Sequence, residues 1–119
     1  MVQKTRIMDV YKHLKDNKID VYFPTQKQGE CIAPYVVLKD AGTMKYQDFS
    51  STQSLYDVMC YVPKNNFSKL DQFVSKVKNL MKQMEPMIQP TYFETPSYYD
   101  DGVKAHMVSV QYRNMRKIV

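Results

Sequence analysis

Residues 66–84, NFSKLDQFVSKVKNLMKQM, place apolar side chains at Leu70, Phe73, Val74, Val77, Leu80, Met81 and Met84. That is the i, i+3, i+4, i+7 spacing of one helical face. Lys69, Gln72, Ser75, Lys76, Lys78, Asn79, Lys82 and Gln83 fall opposite, on the face that meets water. Pro63 bars an earlier start, Asn65, Asn66 or Ser68 can cap the first amides, and Pro86 closes the element. Asp71 near the start and Lys82 near the end suit the helix dipole. A stripe this wide needs a broad partner surface, and strand-like runs lie on both sides of it. Leu70, Phe73, Val74, Val77 and Met81 are therefore expected to pack on a sheet.

The flanking sequence supplies that sheet. A first helix is expected over residues 4–17, with Ile7, Val10, Tyr11 and Leu14 inward and Asn17 as its stop. Ile19, Val21 and Phe23 alternate with Asp20 and Tyr22, as in a half-buried strand ended by Pro24. The following PTQKQGE is a polar loop. CIAPYVVLK, residues 31–39, forms a second strand, and Pro34 places that end at a sheet edge or at a strand start. SLYDVMCYV, residues 54–62, forms a third, with Tyr56, Val58, Cys60 and Val62 sharing one face. Its other face carries Asp57 and is the more exposed. Residues 91–98 and 103–116 form a hairpin turning at Tyr99-Asp100-Asp101-Gly102, where Asp-Gly is the turn signal. Pro90 and Pro96 make the first of its strands irregular or an edge. Residues 40–53, DAGTMKYQDFSSTQ, have no clean period and read as a long connection, with a twisted hairpin turning near Ala41 and Gly42 as the alternative. The aromatic residues in it favour an interaction loop over a solvated linker. The expected fold is α+β: a mainly antiparallel five-stranded sheet with two helices packed on one face, in the order α-β-β-β-α-β-β. At 119 residues it is a single domain, 1–119.

The chemistry-bearing residues are sparse. Three glycines leave no phosphate-cradling loop, and no HExxH, CxxC, GxSxG or P-loop pattern occurs. His13 lies on the polar side of the first helix and His106 on a strand face with valines, so each reads as a surface or packed residue rather than a general base. Asp100 and Asp101 belong to a turn, and the scattered cysteines and histidines lack the paired spacing of a zinc site. The expectation is no enzyme, no cofactor and no metal. Cys31 and Cys60 lie in apolar runs and are expected to be reduced, buried thiols, with no signal-like apolar stretch near residue 1. The net charge of +5 comes from dispersed lysines, without a block of five like charges. Arg113, Arg116 and Lys117 at the last strand lack interleaved aromatics beyond Tyr112, and read as a protein-facing strand end rather than a phosphate track.

This order of elements, together with APYVVL, the Tyr- and Phe-bearing stretch after it, SLYDVMCYV and KLDQFVSKVKNLM, resembles the tail-terminator (tail-completion) proteins of long-tailed bacteriophages. The resemblance spans nearly the whole chain and carries no catalytic or metal motif. It implies a structural role in the virion at the tail–head junction, after assembly in the host cytoplasm. Such proteins form a hexameric ring that caps the tail tube, stops its polymerisation and meets the head-completion or connector protein, while phage DNA later passes through the centre. In that setting Met44, Lys45, Tyr46, Asp48 and Phe49, with Arg113 and Arg116, are the expected protein interface, and no membrane is involved. Another head-completion or neck protein is the nearest alternative. A small cytoplasmic nucleic-acid-binding α+β domain, supported by the positive charge, is the one from a different class.

Overall fold

The computed structural model describes residues 6–26, 29–45 and 51–117, with side chains over 7–26, 29–43 and 53–114. Helix α1 (Arg6–Asp16) buries Ile7, Val10 and Leu14 and half-buries Tyr11. Lys18, not Asn17, takes the left-handed stop, with φ of 66°. The Ile19 N–H then returns to the Leu14 carbonyl at 3.0 Å, which satisfies an otherwise open helix-end acceptor. Asn17 instead donates its side-chain amide to the His13 carbonyl at 2.8 Å.

Six strands make one mixed sheet rather than five in a mainly antiparallel one. They are β1 (Val21–Tyr22), β2 (Tyr35–Lys45), β3 (Ser51–Pro63), β4 (Gln89–Glu94), β5 (Tyr98–Asp100) and β6 (Ala105–Lys117). The order is β1-β2-β3-β6-β4, with β5 also on β6. Two physical causes separate this from the expected sheet. The connection from β1 to β2 is long enough to cross over, so β1 pairs parallel to β2, Val21 opposite Val36. Pro96 falls where the first strand of the last hairpin is broken into β4 and β5, which follow each other along β6, while Pro90 sits inside β4 opposite Tyr112.

Residues 40–45 and 51–53 are strand rather than irregular connection. β2 runs on to Lys45 and pairs with β3 through Lys45 opposite Thr52. Gly42, with φ of 106°, absorbs a one-residue bulge between Asp40 and Gly42 instead of making the turn. The Asp40 carboxylate holds the bulge by accepting the Gly42 N–H at 2.9 Å. The absent period follows from that bulge, because one extra residue inverts the inward–outward alternation beyond it. β3 in turn pairs with β6 along its whole length, from Ser51 opposite Lys117 to Pro63 opposite Ala105. Three long strands extend the domain to 49 × 26 × 25 Å.

Helix α2 (Leu70–Lys82) is entered through a 3-10 turn over Lys64–Lys69 and carries no side-chain cap. Leu70, Val74, Val77, Met81 and Met84 are buried on Val58, Cys60, Val62, Val108 and Val110, with α1 beside them. Each fully buried aliphatic side chain contributes about 1.5–3 kcal/mol. Phe73, expected in the buried stripe, is only half-buried at its margin. His13 ties the helices together, its Nε2–H donating to the Leu80 carbonyl at 2.8 Å. Among the described residues, the second sheet face is covered in part. Cys31, Tyr35, Tyr61, Ala105 and Met107 form a small cluster there, closed by the Cys31 N–H on the Val103 carbonyl at 2.7 Å.

Candidate interface surfaces

The expected interface residues fall at one end of the long strands. Register places Met44 opposite Gln53, Lys45 opposite Thr52, Arg116 opposite Thr52 and Arg113 opposite Leu55. Met44, Lys45, Arg113 and Arg116 are thus brought to the same end of β2–β3–β6, while Tyr46, Asp48 and Phe49 lie outside the described residues. Polar groups are buried at this end. Ser54 and Asn114 are buried opposite each other, and the Ser54 hydroxyl meets the Thr43 hydroxyl at 3.2 Å. Gln53 Oε1, Arg113 Nε and Asn114 Nδ2 are buried with no hydrogen-bond partner among the described residues. An unmet buried polar atom costs about 1–3 kcal/mol.

A second surface escaped the sequence reading. Along the β4–β5 edge, Tyr92 is 88% exposed and Phe93 57%, with Tyr98 and Tyr99 exposed beside them. Tyr92 stands at φ of 67°. A left-handed residue other than glycine costs about 1–2 kcal/mol, so the backbone is strained where the ring projects. Between this edge and the second half of α2 lies a groove of about 290 Å³, lined by Lys78, Lys82, Glu85, Tyr92, Phe93 and Tyr112 among others. Lys78 and Glu94 pair across it. Pro90 and Pro96 hinted at an edge, but nothing in a run of Thr, Tyr and Phe tells an outward ring from a buried one. At the far end of the same edge His106 sits between Phe67 and Tyr99, with ring centroids 4.6 and 5.2 Å away.

The titratable groups with displaced ionisation lie inside the domain. Burial pushes the Cys60 thiol up to about 12, with nearby Glu94 adding to it. Burial likewise raises the Tyr61 phenol to about 12 and holds Tyr35 and Tyr112 well above the usual tyrosine range. Tyr35 stacks on Tyr61 at 4.9 Å and meets Tyr22 edge-on at 5.7 Å. Burial keeps these groups as neutral rings and a neutral thiol. Cys31 and Cys60 are unbridged and belong to clusters on opposite faces of the sheet. Among the described residues no three His, Cys, Asp or Glu side chains gather as a metal site. No described helix is long and apolar enough to cross a membrane. No protein family matches this chain, and no curated protein matches it.

Proposed function

We propose that this chain is a structural assembly protein of a long-tailed bacteriophage, the terminator that caps the tail tube and forms its junction with the head connector. The observation that carries the proposal is the surface. A domain of this size keeps four exposed aromatic rings along one sheet edge, Tyr92, Phe93, Tyr98 and Tyr99. Exposed aromatic side chains of this kind mark a protein contact more often than a solvated edge. One helix, three strands and a second helix follow the element order on which the resemblance rests, whereas three strands close the chain where that order has two. In this reading the chain binds and does not turn over a substrate. Its partners are further copies of itself in a hexameric ring, the major tail-tube protein and the head-completion protein, with DNA passing through without sequence reading.

The test is polymerisation of the major tail-tube protein with and without the purified chain, followed by electron microscopy. Tubes that stop growing with a ring at one end are expected. Tubes of unchanged length distribution, together with salt-sensitive binding of the chain to DNA, would instead establish the nucleic-acid-binding alternative.

A further inference from the structure

The charge of the chain is divided between two neighbouring segments. Residues 85–101 contain Glu85, Glu94, Asp100 and Asp101 and no basic residue. Residues 64–84 contain Lys64, Lys69, Lys76, Lys78 and Lys82 against Asp71 alone. The acidic segment is also the one that carries the exposed Tyr92, Phe93, Tyr98 and Tyr99. Pro90, Pro96 and the interrupted pairing between Pro90 and Glu94 prevent a foreign strand from extending the sheet along this edge. Recognition there must come from side chains. Rings rimmed by carboxylates suit a surface of lysines, whose ammonium groups pair with the acids and lie over the rings. Both contacts occur within the chain: Lys78 pairs with Glu94, and Lys15 Nζ lies 5.9 Å from the Tyr11 and Tyr22 ring centroids.

We infer that the acidic aromatic edge docks on the solvent face of α2 in a second copy of this chain. The inference deepens the assembly reading and rests on it. The receiving face exposes Lys69, Lys76 and Lys82. It also carries a shallow groove lined by Asp71, Gln72, Ser75, Lys76, Asn79 and Leu80, the proposed seat of Tyr92 and Phe93. The Tyr92 ring is 88% exposed, so docking needs no unpacking of the core to present it. Because the two surfaces differ, the contact is head-to-tail, and it leaves one unused surface of each kind at the ends of any open assembly.

Two variants test this, each altered only at exposed positions: Tyr92→Ala with Phe93→Ala, and Lys69→Glu with Lys76→Glu. Circular dichroism confirms that each is folded, and sedimentation velocity over a range of concentrations reads association. The wild-type chain is expected to form species larger than a dimer, and each variant to associate at least about tenfold more weakly. An equal mixture of the two variants is expected to form a pair and nothing larger, since each retains the surface the other has lost. Folded variants that associate like the wild type, or a mixture that stays monomeric, overturn the docking inference. Wild-type chain that stays monomeric at every concentration overturns it too. The capping reading is judged separately, by whether the wild-type chain arrests tail-tube growth.

Discussion

Truncation of Phe73 and of Met81 separates what a helical period predicts from what packing enforces. Both residues belong to the apolar stripe of α2, and by size Phe73 is the larger loss. A fully buried Phe→Ala change costs about 3–5 kcal/mol and Met→Ala about 2–5. Met81, however, is fully buried beneath α2, whereas Phe73 is half-buried at the margin of the core. Removing the Met81 side chain leaves a closed cavity against the sheet. Removing the Phe73 ring opens a notch that water fills, and part of the ring was already hydrated. The expected cost is therefore about 1–2 kcal/mol for Phe73→Ala and about 3–4 for Met81→Ala. In a domain of this length 1 kcal/mol is worth about 4 °C in melting temperature. Urea unfolding followed by circular dichroism, with thermal melts alongside, measures both variants. Dilute protein keeps contacts between copies from contributing. A Phe73→Ala variant as destabilised as Met81→Ala, or more so, refutes the placement of that ring at the margin.

Two further outcomes follow from the backbone and from buried ionisable groups. Gly42→Ala should cost about 1 kcal/mol by denaturant titration, entirely from the φ of 106°, because an added Cβ would meet nothing within 4 Å; an unchanged midpoint would show that the bulge relaxes freely. Raising the pH should unfold the domain. Tyr61 ionises near 12 when folded and near 10 when unfolded, so its contribution is intact below about 10 and is lost as pH climbs from there through about 12. Cys60 acts in the same direction, from about 9 upward. Thiol labelling that rises before the loss of circular dichroism would contradict the burial of Cys60, and an alkaline unfolding midpoint unchanged by Tyr61→Phe would contradict the part assigned to Tyr61.

Much of the fold is legible without tertiary information. The 3.6-residue stripe in α2 and the two-residue alternation of Tyr56, Val58, Cys60 and Val62 each report a local periodicity, and all but the marginal Phe73 and Leu80 are buried where it points. Asp101-Gly102 lies in the turn before β6, which brings Tyr99 opposite His106. Periodicity fails where the chain changes its count. The bulge between Asp40 and Gly42 hid the outer part of β2, because alternation on its two sides is out of step. Of the expected interface, sequence could mark large apolar residues in an unpatterned stretch, but not that Met44 and Lys45 lie in a strand. It missed Tyr92 and Phe93, since a ring in an edge strand has the same composition whether it points inward or outward.

By itself the sequence determined the elements that depend on short-range geometry: two amphipathic helices, the long strands that face them, and a last hairpin. Tertiary structure decided which strands meet and which faces stay open. β1 runs parallel to β2 because the segment between them crosses over. Among the described residues, the far face of the sheet is closed where Cys31 docks at Val103. The β4–β5 edge keeps its aromatics in water because two prolines and a strained Tyr92 turn them away from the core. Those are outcomes of long-range pairing and of competition for a limited buried volume, and no local pattern of residues carries them.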